Sequence, residues 1–374
     1  MKCPFGLTNK KEIIKFEEKD PYNPQNTVKG YVNRRQGSLY GSLYITHVNG
    51  KRRSQIVYSA PKQHYPFDKE QEKWAFPDYD YIELYEKLDG TCIIKYRYTD
   101  GKEWFHTYKT RLRPFLGTGK FGDFFSLWNE MLGKYPKIKE ECNQSGSYNY
   151  IFELYGKRNK ILMDYDVPLD TRLIFVIDGN GNIISPDSTE GIKVPKLSSI
   201  GFPLDKINGD EYTDIQNKLE AELTVDEDNH ILKGKEGYVM YFIKNEYSVQ
   251  IKNKPPSVLK YHWRGDAISY ESVYTTVINA FENFDEPSYA DVVGLLREEY
   301  DESFIGKSRV RIEKALGRVL FDKKYQHKLA KDYNEQGFDI NKDKVTCMRW
   351  FSKNYPKSEA KRIFTLLKQY EKSE

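Results

Sequence analysis

A lysine is followed two residues later by an Asp-Gly pair in the segment Lys87-Leu88-Asp89-Gly90. Alternating β-rich residues lie on both sides, so the lysine is predicted at a tight junction between two strands. A lysine amine is normally protonated near pH 7, but burial or a neighbouring cation lowers its pKa and frees it for nucleophilic attack. Taken alone, so short a motif favours a β-hairpin with a solvated lysine.

Four further blocks of reactive residue types follow this one along the chain. They are Lys109-Thr110-Arg111, Phe152-Glu153 with Gly156, Glu236-Gly237-Tyr238, and Ile251-Lys252 with Lys254. Attack of an amine on the α-phosphorus of a nucleoside triphosphate needs a nucleophile, cations around the phosphates and carboxylates that hold a divalent metal. Lys87 would be the nucleophile, and Glu153 and Glu236 the carboxylates. Lys252 and Lys254 lie two apart on a predicted strand, so their side chains share a face and can flank one phosphate.

Each block also has an ordinary structural explanation. Glu153 lies in an apolar run, where an unpaired buried carboxylate is costly, yet it fits the solvent face of a strand equally well. Lys252 and Lys254 are also typical of the charges that protect an edge strand. The five blocks in this order are far more specific than any one of them.

The five blocks, in this order, resemble the motifs of the covalent nucleotidyltransferase superfamily, which contains ATP-dependent polynucleotide ligases and mRNA capping enzymes. Within it the chain resembles RNA ligases of the bacteriophage tRNA-repair type. Residues 40–68 resemble that family's amino-terminal hairpin, including its Asn-Gly turn, and Thr91-Cys92 lacks the arginine that DNA ligases carry after Lys-x-Asp-Gly. One departure is Tyr40-Gly41, because the family carries an arginine there that contacts the ATP phosphates.

The resemblance implies roles for the block residues. Lys87 would form a lysyl-AMP phosphoramidate, and a hydrated Mg²⁺ or Mn²⁺ would be held by Asp89, Glu153 and Glu236. Glu153 would also contact the ribose. In the second block Arg111 is the better match and Lys109 the alternative.

The resemblance extends to the rest of the nucleotide site. Lys252 and Lys254 would stabilise the α-phosphate, with one of them near the attacking amine. Glu86 and Ile177 would line the adenine pocket, although the family commonly carries an aromatic ring at the Ile177 position.

The implied activity is that of an ATP-dependent RNA ligase that joins 5′-phosphate and 3′-hydroxyl ends through lysyl-AMP and RNA-adenylate, in RNA repair with tRNA as a candidate substrate. The alternatives are a DNA ligase or a capping guanylyltransferase of the same superfamily, and a non-catalytic RNA-binding protein on the same scaffold. Five blocks filled with reactive residue types argue against the last. The resemblance further suggests a monomer, encoded by a phage and acting in a host cell's cytoplasm without membrane attachment.

The elements that must position these residues divide the chain in two. We predict an α+β fold, with an antiparallel-sheet nucleotidyltransferase (ATP-grasp-like ligase) domain over residues 1–256 and an all-helical domain over 257–374, the boundary falling near 255–265. DNA ligases and capping enzymes carry a β-barrel at that place. The first thirty residues are predicted to be irregular. Predicted helices cover 121–134, 210–223, 270–281, 289–300, 310–321, 345–354 and 358–372.

Composition excludes several classes of protein. No stretch approaches the roughly 20 apolar residues of a membrane-spanning helix, and the four scattered cysteines indicate neither disulfides nor a zinc site. His64, His106 and His262 form no metal-ligand cluster. The net charge of +4 is too small to prove a polyanionic partner. Two explanations stay open for the basic residues of the tail, a solvated helix face or an RNA-binding face; these residues are Lys307, Arg309, Arg311, Lys314, Arg318, Lys323 and Lys324.

Overall fold

A computed structural model describes residues 12–35, 37–67, 73–117, 123–140, 148–159, 161–189, 191–201, 206–226, 231–262, 268–297, 300 and 302–371. The chain divides into two compact units, Met1–Arg264 and Gly265–Glu374. The predicted domain boundary after residue 256 lies a few residues earlier, since the helix Pro256–His262 belongs to the first unit. As predicted, antiparallel sheets come first and helices follow.

Two large antiparallel sheets and one hairpin form the β-structure of the described residues. The first sheet has the order β1-β2-β3-β4, with strands Ile13–Lys19, Thr27–Asn33, Leu43–Val48 and Lys51–Val57. The second has the order β5-β13-β14-β10-β9-β8-β6-β7. Its strands, from β5 to β10, are Tyr81–Glu86, Gly90–Thr99, Trp104–Thr110, Asn149–Tyr155, Asp170–Ile177 and Ile183–Ile184. Its last two are β13, Tyr238–Lys244, and β14, Tyr247–Asn253, while the hairpin is formed by β11, Thr224–Asp226, and β12, Ile231–Lys233.

The strands on either side of the lysine motif do not form a hairpin. β5 pairs with β13, whereas β6 pairs with β7 and β8, so five strands separate the two in the sheet order. In a flat sheet β5 and β6 would lie about 29 Å apart at about 4.8 Å per strand. Only three residues join Glu86 to Gly90, and they span at most about 15 Å. The sheet must therefore curl, and Lys87 lies where its two ends meet.

The prediction that the first thirty residues are irregular is wrong where β1 and the first part of β2 lie, at residues 13–19 and 27–30. β1 pairs with β2 over all seven residues of each strand. The connection between them is held by the buried carboxylate of Asp20, which accepts hydrogen bonds from Tyr98 (2.8 Å), Thr107 (2.7 Å) and Asn23 (2.7 Å). Only Phe16 of β1 is buried, so the strand lacks the apolar alternation by which strands are recognised.

The predicted Asn-Gly turn is confirmed between β3 and β4. Asn49 and Gly50 both have positive φ, of 52° and 75°, as a tight turn between antiparallel strands requires. Residues 37–41 form turns, with Gly37 and Gly41 at positive φ, and β3 begins after them at Leu43. After β4 the chain passes Ser59 and enters the second sheet at its edge strand, β5.

The helices of the first unit cover the second sheet. They are α1 Phe124–Lys134, α2 Lys137–Glu140, α3 Gly209–Ala221 and α4 Pro256–His262. α1 buries Trp128 against Tyr108 and Phe152 of the sheet. α3, which begins at a capping box formed by Asn208 and Glu211, packs Tyr212 against the rings of Phe67, Trp74 and Phe76.

The second unit is helical throughout its described residues. Its helices are α5 Tyr270–Asn283, α6 Tyr289–Leu296, α7 Glu302–Lys307, α8 Arg309–Glu335, α9 Lys344–Asn354 and α10 Ala360–Glu371. The predicted helix 310–321 is the first half of α8, which continues for fourteen more residues. The sequence pattern missed this half because half of its residues are charged, and only Leu329 and Tyr333 of it are buried. None of the helices in the described ranges has the length and apolarity needed to cross a membrane.

Candidate active site

A single carboxylate, that of Glu236, joins the predicted nucleophile to a second lysine. The Nζ atom of Lys87 lies 2.6 Å from Glu236 Oε2, and the Nζ atom of Lys254 lies 2.7 Å from Glu236 Oε1. The Glu236 and Lys254 side chains are 3% and 1% exposed, whereas Lys87 retains 19% exposure. Of the two lysines, Lys87 is therefore the one that a ligand can reach.

The Glu-Gly pair of the fourth block fixes the position of Lys87. The backbone N–H of Lys87 donates a 2.9 Å hydrogen bond to the carbonyl oxygen of Gly237. A Cβ atom on Gly237 would lie 2.2 Å from the carbonyl oxygen of Asn253 on β14. Only glycine thus lets the chain pass this close to β14 and present Glu236 to both lysines.

Asp89 is held by a loop that the sequence analysis did not single out. Its Oδ2 atom accepts hydrogen bonds from the backbone N–H groups of Leu162 (2.5 Å) and Met163 (2.7 Å), and its own N–H donates to the hydroxyl of Tyr165 (2.7 Å). Burial, followed by the negative charge of Glu236, raises the pKa of Asp89 to about 6. No spacing signal links residues 162–165 to the lysine motif, which explains why the sequence analysis missed them.

Glu153 lies in a row of polar side chains that crosses three strands. In register, Cys92 of β6 stands opposite Glu153 of β8, and Glu153 stands opposite Arg172 of β9. Directly opposite residues of antiparallel strands share a face, so the three side chains point to the same side of the sheet. Arg172 is itself held by an ion pair with Asp170 at 2.8 Å.

The charges around Glu153 show that the blocks converge. Burial raises the pKa of Glu153 to about 8, and the negative charges of Glu236 and Asp89 act in the same direction. The positive charges of Lys87 and Arg111 oppose this shift. The site therefore gathers three carboxylates around the nucleophile, which makes it favourable for a cation.

The two candidates of the second block are in different surroundings. Lys109 is fully buried, and its ammonium donates hydrogen bonds to the carbonyl oxygens of Gly41 (3.0 Å) and Arg111 (2.8 Å). Burial lowers the pKa of Lys109 to about 7. Lys109 thus ties the amino-terminal sheet to β7, while the charge of Arg111 acts on Glu153. The geometry favours Arg111 as the residue directed at a ligand.

Gly41 lies directly against Arg111. A Cβ atom on Gly41 would be 2.4 Å from the Arg111 carbonyl oxygen and 2.9 Å from its Cγ. Tyr40, at the place where the resemblance leads one to expect an arginine, is 3% exposed and belongs to the core.

Lys252 is held by two aromatic residues that the sequence analysis did not name. Its ammonium lies 4.5 Å from the centre of the Tyr65 ring, and its carbonyl oxygen accepts a 2.6 Å hydrogen bond from the Tyr212 hydroxyl. Its backbone N–H donates to the His64 carbonyl oxygen at 3.0 Å, so residues around His64 run beside β14. Lys252 is only 5% exposed. Lys252 and Lys254 thus have separate partners, Tyr65 and Glu236.

The two residues predicted to line an adenine pocket differ in exposure. Glu86 is half-buried, and burial raises the pKa of its carboxyl while the charge of Lys235 opposes the shift. Ile177 is 1% exposed and packs in an apolar cluster with Tyr85 and Ile94. Ile177 contributes apolar packing under this part of the sheet.

The carboxylates do not form a ready-made metal cage. Within the described ranges, no three His, Cys, Asp or Glu side chains are grouped closely enough to hold one ion. Glu236 is occupied by two lysines, and Asp89 by two backbone N–H groups. Oxygen donors that stand apart suit a hard divalent cation that keeps several of its waters, as Mg²⁺ commonly does.

Comparisons with known proteins found distant structural neighbours. No protein-family description and no curated protein sequence matches the chain. Among solved structures, Naegleria gruberi RNA ligase with PPi is 15% identical at a TM-score of 0.35, and the match covers 49% of this chain and 52% of that one. A mutant of the same RNA ligase with ATP and Mn is 10% identical at a TM-score of 0.36, over 67% of this chain and 98% of that one.

The likeness is partial in length as well as in identity. This chain spans about half the length of the first of these structures. A further mutant of that RNA ligase, with AMP and Mn, is 11% identical at a TM-score of 0.35. Likenesses this distant carry no argument about activity, so any function for this chain has to be argued from its own residues.

Proposed function

We propose that this protein is an ATP-dependent RNA ligase that forms a lysyl-AMP intermediate on Lys87. The observation that carries the proposal is the Lys87–Glu236–Lys254 arrangement, in which one buried carboxylate binds an accessible lysine and a buried one. A hairpin with a solvated lysine would need none of these partners. The curled antiparallel sheet that holds them would be that of a nucleotidyltransferase (ATP-grasp-like) domain.

The proposed first step is attack of the neutral Lys87 amine on the α-phosphorus of ATP. The N–P bond forms, the bond from that phosphorus to the bridging oxygen breaks, and pyrophosphate leaves with the electron pair. The Lys87 Nζ atom, which must lose a proton, lies 2.6 Å from Glu236 Oε2, which is within reach for proton transfer. Lys252, Lys254 and Arg111 would neutralise charge that develops on the phosphates.

The donor set of the site fits a divalent cation. Asp89, Glu153 and Glu236 would supply oxygen ligands. Burial is the largest cause of the raised pKa values of Asp89 and Glu153, and the neighbouring carboxylates add to it, a repulsion that a cation would relieve. Such an ion, Mg²⁺ or Mn²⁺, would supply charge neutralisation at the triphosphate. Protonation of Glu153, whose pKa is raised to about 8, would compete with binding of the cation.

Two later steps would complete the ligation. A 5′-phosphate oxygen of RNA would attack the lysyl-AMP phosphorus, breaking the N–P bond and returning the amine to Lys87. The 3′-hydroxyl oxygen would then attack the RNA 5′-phosphorus and release AMP. RNA is favoured over DNA because only helices occur in the described residues after β14, where DNA ligases would carry a β-barrel. Repair of cleaved tRNA would be the biological use of this reaction.

The decisive experiment is incubation of the purified protein with a divalent cation and α-labelled ATP or GTP, followed by a denaturing gel. We expect covalent label from ATP, and none in Lys87→Ala. Lys244→Ala, which removes a more exposed lysine paired with Asp78, is the control and should still be labelled. Label from GTP alone would indicate a capping guanylyltransferase, and no label from either nucleotide would leave a non-catalytic RNA-binding protein.

The nucleic acid is tested separately. Preformed enzyme-adenylate is mixed with single-stranded RNA or DNA that carries a 5′-phosphate and a 3′-hydroxyl. We expect adenylate transfer and sealing with RNA ends. Sealing of DNA ends alone would contradict the assignment to RNA while leaving the lysyl-AMP step intact.

A further inference from the structure

A stripe of cationic and aromatic side chains runs along the outer side of α8. The stripe consists of Lys314, Arg318, Phe321 and Tyr325. Spacings of four, three and four residues place all of them on one side of an α-helix. The opposite side is buried through Ile312, Ala315, Leu316 and Val319. We call this outward row the α8 stripe.

The aromatic members of the α8 stripe present ring faces in parallel. Phe321 is 58% exposed, and its ring lies 6.0 Å from that of Tyr325 at an interplanar angle of 11°. A second such pair stands on α5, where Tyr270, 39% exposed, lies 6.1 Å from Tyr274 at 29°. Tyr325 and Tyr274 are partly buried, so the exposed rings of Phe321 and Tyr270 are the ones that offer flat apolar faces of the kind on which unpaired bases stack.

Cations lie over the same rings. The Lys314 ammonium of α8 is 5.7 Å from the centre of the Tyr270 ring of α5. The Arg362 guanidinium of α10 lies 5.9 Å from Phe321 and 5.1 Å from Tyr325. Arg318 and Arg362 both form ion pairs with Asp322, which holds the two guanidinium groups beside the stripe. The surface therefore alternates positive charge with ring faces.

The charge of the surrounding helices favours an anionic partner. From Lys307 to the carboxyl terminus there are eighteen basic and nine acidic residues, whereas residues 265–306 contain one basic and ten acidic residues. The second unit as a whole is thus close to neutral, and its positive charge is concentrated in the segment that contains α8 and α10. A segment with this excess of positive charge attracts polyanions.

We propose that the α8 stripe binds a single-stranded segment of the RNA substrate, with bases stacked on Phe321 and Tyr270 and phosphates beside Lys314 and Arg318. The proposal rests on the proposed ligase function for the choice of RNA. From Lys314 to Tyr325 the helix rises about 16 Å, the length of about five stacked nucleotides at 3.4 Å each. In duplex RNA the base faces are stacked inside the helix, so a duplex would contact only the cationic side chains of the α8 stripe.

The experiment measures binding of a fluorescent ten-nucleotide, unstructured, 5′-phosphorylated RNA to the full chain, without ATP, by anisotropy at several salt concentrations. The charge variant is Lys314→Ala with Arg318→Ala. Its matched control is Lys324→Ala with Lys331→Ala, which removes two exposed cations of the same helix roughly 80–100° from the stripe. The ring variant is Phe321→Leu, with Phe321→Tyr as the conservative partner.

We expect the stripe charge variant to bind about ten-fold more weakly and to lower the slope of log affinity against log salt by about 1.4. The control double variant should keep the wild-type slope. Phe321→Leu should weaken binding of the single strand by about five-fold or more, with duplex binding unchanged, while Phe321→Tyr should restore it. Circular dichroism of each variant shows whether α8 has kept its structure.

Several outcomes would overturn the proposal. They are equal loss in the stripe and control double variants, equal effects of Phe321→Leu on single strand and duplex, and absence of RNA binding by the wild-type chain. Labelling with α-labelled ATP is followed in parallel, and the stripe variants should label like wild type. Absence of labelling in the wild-type chain would instead contradict the proposed ligase function. Failure of the RNA-binding proposal and failure of the ligase proposal are therefore distinguishable.

Discussion

The positive charges of the two units are used in opposite ways. In the first unit Lys254 and Lys109 are almost completely buried, and each is held by fixed oxygen partners. In the second unit Lys314 and Arg318 stand at the surface, over or beside rings. Burial makes electrostatic interactions strong and a lost partner costly, whereas exposed charges act weakly and are screened by salt. The first arrangement suits chemistry at one atom, and the second suits reversible contact with a long polyanion.

The largest effect is expected for Glu236→Ala, which removes the carboxylate shared by Lys87 and Lys254. The variant breaks the buried ion pair between Glu236 and Lys254, and we expect a loss of about 3–5 kcal/mol in unfolding free energy. Covalent labelling by ATP should fall at least 100-fold. Urea unfolding and the labelling rate provide the two measurements.

The matched control for Glu236 is Glu222→Ala, whose carboxylate pairs with Lys235 at 3.4 Å and is 56% exposed. It should change the free energy of unfolding by less than about 1 kcal/mol. Similar losses of unfolding free energy in Glu236→Ala and Glu222→Ala would show that the buried ion pair contributes no more to stability than the exposed one.

The pH dependence of stability tests the crowded carboxylates of the first unit. The folded protein holds protons on Glu153, with a pKa of about 8, and on Asp89, with a pKa of about 6, that the unfolded chain releases near pH 4. The folded state therefore binds more protons between these values, and the free energy of unfolding falls as pH rises.

The change in pH dependence is measured on the metal-free protein between pH 5 and 8.5. We expect Glu153→Gln to remove roughly 3 kcal/mol of the fall seen in wild type. Added Mg²⁺ should reduce the fall in wild type more than in Glu153→Gln. An identical pH profile for the two proteins would contradict the charge arrangement described for Glu153.

Within the second block, substitution of Lys109 should lower stability, whereas substitution of Arg111 should lower activity. Lys109→Met removes an ammonium with two short bonds to carbonyl oxygens and should lower the free energy of unfolding by about 1–3 kcal/mol. Arg111→Met should slow labelling about ten-fold or more. Labelling at sub-saturating ATP, alongside urea unfolding, tests both variants, and the reverse assignment of effects would favour Lys109 as the ligand residue.

A smaller effect is expected at Tyr65, whose ring lies against the Lys252 ammonium. Tyr65→Leu should weaken labelling about five-fold, chiefly through the apparent KM for ATP, because the ring orients a buried cation. Tyr65→Phe keeps the ring face and should behave like wild type. Equal losses in the two variants would assign the effect to the hydroxyl and contradict the cation–π contact.

The sequence could predict the site residues better than their surroundings. Lys87, Glu153, Glu236 and Lys254 have side chains whose chemistry and order are visible in the chain, and the structure brings them together. Tyr165 and Tyr65 are missed because their contacts, to Asp89 and Lys252, bridge 76 and 187 residues, and tyrosine is common throughout this chain. Proximity of this kind depends on tertiary packing, which no local pattern encodes.

The fold shows the same division between local and long-range information. The Asn49-Gly50 turn and most helices follow from local sequence signals. β1 is missed because it is held by backbone pairing and by the buried Asp20, and the second half of α8 because it buries so little. Local sequence signals also cannot show that the lysine motif forms no hairpin, because β5 pairs with β13, more than 150 residues away.

The distance between β5 and its partner has a consequence for synthesis of the protein. Lys87 and Glu236 are 149 residues apart, and β5 has no β13 to pair with until that strand has left the ribosome. Closing so long a loop is slow, so the hairpins of the first sheet should form well before the lysine is in place. A nascent chain that ends before residue 254 should therefore be unable to capture ATP covalently, and acquisition of the nucleotide would mark completion of the first unit.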